Sequence, residues 1–333
     1  MEDNIKVTTF APVFIPTLNR SSHFIRLLES LEKCTWAGQT EVFVSLDYPP
    51  AKKYEEGHDI INEYLTQKEL DNNFKILHVF RQTKNLGIRG NFDFLSHYWN
   101  QYDRHIISED DNVFSPNFLV FINKGLTKYK DDTQVYAITG YTHPFSFRFS
   151  DNSYFMFNND FSAWGYGTWT SKMNTILEDI HDGGFRRSLS LRNIIKVSKH
   201  GYTHLRRYLV YGLSRHPERI GYYDTVLSIY MIVKDMCVIC PRLSTVRNEG
   251  WDNSGNSSDY VKINIKKERL QYYSNLHMCQ QIDTNSDFNY YGNPMLFFDY
   301  NNRLAAKESS DKMSFFKFIG SFFSLAKDYV KNR

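Results

Sequence analysis

The chain has 333 residues, of which 41% are hydrophobic and 23% charged, and its formal net charge is +3 at pH 7. A chain of this length and composition can bury a substantial core, either as one large domain or as a domain with an extension. The small net charge argues against a nucleic acid partner, and the aromatic content of 16% suits carbohydrate-facing or interface surfaces.

The N-terminus and the cysteines bear on where the protein works. Glu2 and Asp3 stand where a signal peptide would be basic, and no apolar run reaches the length of a membrane span. We therefore expect a cytoplasmic protein. Of the four cysteines, Cys237 and Cys240 form a C-x-x-C inside an apolar run, without a second pair at zinc-finger spacing. This pattern favours buried free thiols over a metal site.

Strand-like apolar runs alternate with amphipathic helical patterns over the first 140 residues. Strands are predicted at residues 7–17, 41–47, 74–81, 103–108 and 134–141, and helices after Ser21 or Ser22 and at residues 59–70, 91–99 and 116–129. Ser115 is the expected N-cap of the last helix and Pro116 its first residue. This order predicts an α/β fold with a mostly parallel sheet and helices on both faces. Such folds bind ligands at the carboxyl ends of the strands.

Three consecutive carboxylates, Glu109, Asp110 and Asp111, follow the fourth predicted strand. Like charges repel and are costly to desolvate unless a cation lies among them, which makes Mn²⁺ or Mg²⁺ a candidate. Because strand side chains alternate, Glu109 and Asp111 are expected to face one way and Asp110 the other. These metals commonly take one or two carboxylates and substrate phosphates, so the pattern implies a diphosphate ligand. The alternative is a solvated acidic turn at the start of a helix, where carboxylates interact favourably with the helix dipole.

Six segments, in this order, resemble the GT-A (Rossmann-like) glycosyltransferase fold. They are PTLNRSSHFIRLLESLE, VSLD, NLGIRGNF, IISEDDNVFSPNFLVF, FSAWGYGTW and STVRNEGW, within residues 5–260. The sheet half is similar to family 2 enzymes, whereas the acidic cluster and the helix after it resemble the N-acetylglucosaminyltransferase I type of family 13. The resemblance implies a metal-dependent, inverting glycosyltransferase, either a hexosyl- or an N-acetylhexosaminyltransferase. It would use a nucleoside-diphosphate sugar donor and Mn²⁺ (or Mg²⁺).

The resemblance also assigns roles to individual residues. It places Thr17, Arg20, Asp47, Arg89, Asn91, Asp110 and Arg247 at the donor nucleotide, Glu109, Trp164 and Gly165 at the donor sugar, Asp111 on the metal, and Asp224 as the catalytic base. The family has paired aspartates where this chain has Tyr223 and Asp224. Each role has a plainer alternative: a surface charge for Arg20 or Asp47, a simple turn around Arg89, a helix N-cap for Asp224, and a surface loop at 244–260.

Two segments fall outside the resemblance, one inserted within the predicted catalytic domain, 1–262, and one that follows it. Residues 185–219 form an insertion with nine Lys or Arg and one acid, which could bind anionic lipid or acceptor phosphate, or form a solvated helix pair. The C-terminal extension, 263–333, ends in an amphipathic helix at 312–331 with a Phe-rich face and basic flanks. We expect residues 312–333 to bind an anionic membrane, although docking on the catalytic domain is the alternative.

Together these features predict transfer of a sugar to a glycan or lipid-linked acceptor. The enzyme would be peripheral at the cytoplasmic face of the inner membrane, as in bacterial capsule or lipopolysaccharide synthesis. A sugar-nucleotide nucleotidylyltransferase has a similar sheet and acidic site, but it usually needs an N-terminal Gly-rich loop with a catalytic basic residue, which PTLNRSS lacks. A catalytically dead nucleotide- or carbohydrate-binding module is the third possibility.

Overall fold

The computed structural model describes residues 5–143, 153–158, 161–214, 223–252, 254, 275–291, 294 and 296–297. The predicted amphipathic helix at 312–331 and its membrane contact lie outside these residues. Within the described part of the chain, no helix has the length and apolar character needed to cross a bilayer.

The described residues form an α/β fold. Its strands are β1 Val13–Thr17, β2 Glu41–Leu46, β3 Ile76–Arg81, β4 Arg104–Ile107, β5 Asn112–Phe114, β6 Val135–Thr139, β7 Tyr154–Phe157, β8 Tyr166–Trp169, β9 Cys237–Pro241, β10 Val246–Asn248 and β11 Leu296–Phe297. Its helices are α1 Ser21–Glu32, α2 Glu55–Leu70, α3 Gly87–Trp99, α4 Phe118–Lys128, α5 Thr170–His181, α6 Gly184–Ser188, α7 Leu191–Ser198, α8 Tyr202–Leu213 and α9 Tyr223–Lys234.

Nine strands form one sheet in the order β11-β7-β9-β6-β8-β4-β1-β2-β3. The pairs within β3-β2-β1-β4 are all parallel, while β8 runs antiparallel to both of its neighbours, β4 and β6. The predicted mostly parallel sheet is therefore confirmed. From β1 the chain moves outward to β2 and β3, and then returns to place β4 on the other side of β1. The strand order thus reverses between β1 and β4, and the crevice at their carboxyl ends is where such folds bind ligands.

Both faces of the sheet are buried, which explains the nearly continuous apolar runs of its strands. In β1, Val13 and Ile15 pack on one side and Phe14 on the other, because successive side chains point to opposite faces. Helices α1, α2 and α4 cover the first side, and α3 and α5–α9 cover the second. Helices on both faces were predicted and are confirmed.

Two predicted caps are wrong. Helix α1 begins at Ser21 and its N-cap position is Arg20, without a side-chain cap hydrogen bond. Helix α4 begins at Phe118, with Asn117 at the N-cap position, and the Ser115 hydroxyl donates to Asn117 Oδ1 (2.6 Å). The Ser115 backbone N–H donates to the Thr245 carbonyl (2.9 Å) and prolongs the pairing of β5 with β10. Arg20, at the N-cap position of α1, lies where β1 turns into α1, with its side chain over the carboxyl end of the sheet.

The ribbon of β5 and β10 was not predicted. Each strand has three residues, too few for a periodic pattern to be recognised, and their pairing joins segments more than 130 residues apart. The thiols follow the prediction only in part, since Cys34, Cys237 and Cys240 are buried and Cys279 is exposed.

Part of the predicted C-terminal extension packs on the sheet. Phe288 and Tyr290 are buried against Phe121 of α4, and the Tyr290 hydroxyl donates to the Phe121 carbonyl (2.7 Å). Strand β11 adds a parallel edge to β7. Residues 275–291 therefore share a core with the residues before 262, and the predicted boundary between the two parts stays a prediction.

Gly57 of α2 supports the turn that carries Arg20. A Cβ at this position would lie 2.0 Å from the Asn19 carbonyl oxygen, so any side chain must push the turn away. We expect Gly57→Ala to lower the free energy of unfolding by about 1–3 kcal/mol, the usual cost of overpacking. Gly38→Ala is the control, since its Cβ would meet only the Asn73 oxygen at 3.6 Å. Equal urea midpoints for the two variants would contradict this account.

Candidate functional site

The crevice between β1 and β4 holds a guanidinium between two carboxylates. Arg20 Nη1 donates to Asp111 Oδ2 (2.7 Å), and Arg20 Nη2 donates to Asp110 Oδ1. Thr17, the last residue of β1, donates its hydroxyl to Asp110 Oδ2 (3.1 Å), and Asn248 Nδ2 donates to Asp111 Oδ1 (2.6 Å). The sequence analysis predicted a divalent metal ion among these acids, whereas the positive charge that the structure shows between two of them is Arg20.

The alternation predicted for the three acids is wrong. Strand β4 ends at Ile107, so residues 109–111 lie in the connection to β5, where the strand rule does not apply. Asp110 and Asp111 both turn towards Arg20 and are both buried. The structure therefore brings together Thr17, Arg20, Asp110 and Asp111, which sequence reasoning had placed at the nucleotide and the metal.

One guanidinium does not neutralise this cluster. Burial, followed by the charges of Asp111 and Asp224, raises the pKa of Glu109 to about 8. Burial also raises the pKa of Asp110, even though Arg20 opposes this shift. Burial lowers the pKa of Arg20, but Asp110 and Asp111 raise it more, so the guanidinium stays charged. Among the described residues, Glu109, Asp110 and Asp111 thus lie around the single guanidinium of Arg20, an arrangement that favours a further cation.

The donor set fits a hard divalent cation that shares its shell with a substrate. Asp110 and Asp111 offer carboxylate oxygens, the ligand type that Mg²⁺ and Mn²⁺ prefer, and Arg20 is a stand-in positive charge between them. Among the described residues, no three His, Cys, Asp or Glu side chains converge to hold a metal without other ligands. A metal here would therefore take its remaining ligands from water or from a substrate.

The segment after β10 covers the acidic cluster. The Glu249 backbone N–H donates to the Asp111 carbonyl (2.8 Å), and a Cβ on Gly250 would lie 1.9 Å from Asp111 Oδ2. Glu249 accepts from Arg26 Nε (2.9 Å) and from Arg247 Nη2 (2.7 Å). Arg247, predicted to reach the diphosphate, therefore pairs with Glu249, whose backbone in turn contacts Asp111.

An aromatic cluster adjoins this segment. The ring of Trp251 stacks on His277 at a centroid distance of 5.0 Å, and Trp164 meets the edges of Tyr141 (4.6 Å) and His277 (5.1 Å). Burial lowers the pKa of His277 to about 3, so its ring is neutral where Nδ1 lies 2.9 Å from the Tyr141 hydroxyl. Trp164 is half-buried and presents a flat apolar surface of the kind that sugars contact.

Gly165, predicted beside the sugar, packs inward. It has a φ of 67°, and a Cβ there would meet Val246, Phe114 and Phe118 at 3.0–3.3 Å. Its N–H donates to the Ala163 carbonyl (3.0 Å), and its own carbonyl accepts from the Gly140 N–H (2.8 Å). These contacts give Gly165 a packing role, and its predicted contact with a sugar stays a prediction.

Asp47 holds the start of α3 in place. Its carboxylate accepts from the backbone N–H groups of Tyr48 (2.9 Å), Leu86 (2.8 Å) and Gly87 (2.9 Å), and from Asn85 Nδ2 (3.2 Å). A nucleobase N–H would have to displace one of these donors. The surface-charge alternative is wrong, because Asp47 is 3% exposed.

The two other residues predicted on this turn lie in different surroundings. Asn91 is buried, where Nδ2 donates to the Ser45 carbonyl (3.2 Å) and Oδ1 has no partner in the described part of the chain. Arg89 is exposed. The structure therefore does not bring Arg89 and Asn91 to one surface.

Asp224 lies in the first turn of α9 and is half-buried. It is the second residue of the helix as described, so its roles as base and as cap both stay predictions. Its Oδ1 accepts from the Thr225 N–H (2.6 Å), and its charge is one of those that raise the pKa of Glu109. The preceding residue, Tyr223, anchors this end of α9 on β6, where its hydroxyl lies 2.8 Å from the Tyr136 hydroxyl.

Sequence reasoning missed Asn248, Gly250, Trp251 and His277. The first three stand in the segment NEGW, whose mixture of one glycine with polar and aromatic side chains was the available signal. No pattern around His277 connects it with residues 141–164.

Glu109 should make the stability of the metal-free protein depend on pH. Between its ordinary pKa of 4.5 and its folded value of about 8, the folded state binds the proton more tightly than the unfolded state. The free energy of unfolding should therefore decrease as the pH rises through this range. We expect Glu109→Gln to flatten the profile when urea unfolding is followed in EDTA, and Glu63→Gln, at an exposed position, to leave it unchanged. A parental slope in Glu109→Gln would contradict this interpretation.

In comparisons with known proteins, similarity was found to solved structures alone. No family model and no curated protein matches the chain. TarS of S. aureus is 17% identical over 52% of this chain and 30% of its own, with a TM-score of 0.34. TarS 1-349 in complex with UDP is 14% identical over 80% and 78%, with a TM-score of 0.37. The mannosyltransferase PcManGT of Pyrobaculum calidifontis, in complex with GDP-Man and Mn²⁺, is 12% identical over 83% and 87%, with a TM-score of 0.37. The chain spans 30% and 39% of the lengths of two of the TarS chains that it matches.

Proposed function

We propose that the chain is a metal-dependent, inverting glycosyltransferase that uses a nucleoside-diphosphate sugar. The observation that carries this proposal is the position of Arg20, Asp110 and Asp111 in the crevice where the strand order reverses. A fork-shaped guanidinium suits phosphate oxygens, and an excess of carboxylates suits a divalent cation. A diphosphate is the ligand that satisfies both groups together.

The donor would be held from both sides of the crevice. Arg20 would exchange a carboxylate partner for phosphate oxygens, and Asp111, with Asp110 beside it, would hold the cation. When bound, Mn²⁺ or Mg²⁺ supplies Lewis-acid stabilisation of the leaving nucleoside diphosphate. Thr17 keeps Asp110 oriented through its 3.1 Å hydrogen bond. Asp47, Arg89, Asn91 and Arg247 remain proposed nucleotide contacts.

The reacting sugar would lie between the acidic cluster and the aromatic cluster. Glu109 would accept from sugar hydroxyls, and Trp164 would pack on a sugar face, with Gly165 shaping the chain beside it. Asp224 would take the proton of the acceptor hydroxyl as that oxygen attacks the anomeric carbon. The segment 248–252 already packs over Asp111 and would keep water away from the donor.

The finer parts of the proposal follow from the sequence analysis. The transferred group would be a hexosyl or N-acetylhexosaminyl unit, and the acceptor a glycan or lipid-linked glycan of a capsule or lipopolysaccharide pathway. The enzyme would work at the cytoplasmic face of the inner membrane.

The experiment is incubation of the full chain with a panel of UDP-, GDP- and dTDP-sugars and Mn²⁺, with and without EDTA. The proposal predicts release of a nucleoside diphosphate from one donor that stops in EDTA. Pyrophosphate formation from a nucleoside triphosphate and a sugar phosphate would instead identify a nucleotidylyltransferase. Donor binding without any turnover, across a range of acceptors, would identify a binding module.

A further inference from the structure

Helix α7 presents an apolar stripe to solvent. Leu191 and Ile195 are 73% and 51% exposed, and they lie four residues apart, one above the other on the same helical face. At 3.6 residues per turn, Arg192 and Lys199 fall beside them within an arc of about 100°. Both of these cations are exposed. This surface, Leu191, Arg192, Ile195 and Lys199, is called the α7 face below.

The opposite side of α7 is fixed to the protein, so the α7 face keeps its direction. Val197 is fully buried. Lys196 Nζ donates to the Val233 carbonyl at the end of α9 (3.0 Å) and pairs with Asp235 (2.7 Å). Ser190 caps the helix by accepting from the Asn193 N–H (3.2 Å). The two exposed apolar side chains are thus held outward by packing on the other side of the helix.

The chain segment that carries the α7 face has charges of one sign. Residues 184–214 contain seven Lys or Arg and no Asp or Glu. Two of the seven have acidic partners, namely Arg187 with Asp179 and Lys196 with Asp235. In the part of the chain that the structure describes, the other five form no ion pair; they are Arg186, Arg192, Lys199, Arg206 and Arg207. A surface with exposed apolar side chains and more cations than anions beside them complements an anionic lipid surface.

We propose that the α7 face docks on an anionic lipid bilayer. Leu191 and Ile195 enter the interface between headgroups and acyl chains, and Arg192 and Lys199 meet lipid phosphates. This inference does not depend on the proposed function, since no residue of the α7 face has a role in the proposed site. Lys196 contacts α9 at Val233, nine positions along the helix from Asp224, a distance of about 14 Å.

The test is flotation of the full chain with vesicles of phosphatidylcholine alone and with about a third phosphatidylglycerol, at low salt and without any donor or metal. We expect binding to the anionic vesicles only. The double variant Leu191→Ser/Ile195→Ser should lower the partition coefficient about tenfold or more, because two apolar side chains leave the interface. Arg192→Gln/Lys199→Gln should lower it by a similar factor and reduce its dependence on salt.

The matched control is Ile60→Ser/Leu70→Ser on α2, which packs on the opposite face of the sheet. These side chains are 43% and 88% exposed, so the control removes the same two residue types from comparable exposure. It should bind vesicles like the parent. Thermal melts verify that each variant folds. If the apolar variant is unstable, vesicle binding by the charge variant tests the proposal.

Three outcomes would overturn the proposal. The full chain could ignore anionic vesicles. Both α7 variants could bind as tightly as the control, which would place the lipid contact elsewhere, for example in residues 312–333. Alternatively, the apolar variant could convert a dimer into a monomer in sedimentation without changing vesicle binding, which would mean that a second copy of the chain covers the α7 face.

Discussion

Replacing Asp224 with Asn is expected to lower turnover roughly 10²–10⁴-fold, the usual contribution of a positioned general base. The fold should survive, because Asn keeps the Oδ1 acceptor that the Thr225 N–H uses at 2.6 Å. Donor binding should stay near the parental value, since the base acts on the acceptor. The measurement is steady-state release of nucleoside diphosphate with the best donor and acceptor.

The control for this variant is Asp59→Asn, whose side chain is 77% exposed on α2. It should keep parental turnover. Near-parental turnover in Asp224→Asn would remove this residue from the mechanism. A matching loss of donor affinity and turnover would mean that Asp224 shapes the donor site and does not transfer a proton.

Replacing Asp111 with Ala is expected to abolish the metal-dependent part of nucleoside diphosphate binding. The diphosphate would lose its counter-charge, and Arg20 and Asn248 would lose the carboxylate they share. Calorimetric titration with UDP and with GDP, in Mn²⁺ and in EDTA, measures the effect. The parent should bind one of them more tightly in Mn²⁺, while the variant should bind equally weakly in both solutions.

Asp103→Ala is the matched control, because Asp103 stands at the other end of β4 with a side chain that is 54% exposed. It should bind like the parent. Some loss of stability is expected in Asp111→Ala, since the guanidinium of Arg20 keeps only Asp110. Equal affinity of variant and parent in Mn²⁺ would exclude Asp111 as a metal ligand.

The sheet could be predicted from the sequence because its signals are local. The apolar runs that form β1, β2, β3, β4 and β6 are bounded by turn residues and alternate with amphipathic helices, so type and order follow from periodicity. The acids at the end of β4 and Arg20 after β1 were placed correctly at one edge, because parallel strands bring their carboxyl ends together.

What the sequence could not predict depends on contacts between distant segments. The partner of Asp111 is Arg20, 91 residues away, and the residue that covers it is Gly250, from the segment after β10. Asp47 stands at the end of a strand, a position that suits a ligand. Its carboxylate instead accepts hydrogen bonds from backbone N–H groups of the neighbouring turn at 85–87. Such competition between a ligand and the protein's own donors leaves no periodic signature.

The central claim is that Arg20, Asp110 and Asp111 form a binding site for a metal and a nucleoside diphosphate. A crystal structure of the full chain, grown with Mn²⁺ and the nucleoside diphosphate that binds best, tests it most directly. We expect the diphosphate in the crevice between β1 and β4, with Mn²⁺ on an Asp111 oxygen and Arg20 turned from a carboxylate to a phosphate. A nucleotide bound elsewhere on the chain, with Arg20 still between Asp110 and Asp111, would contradict the account.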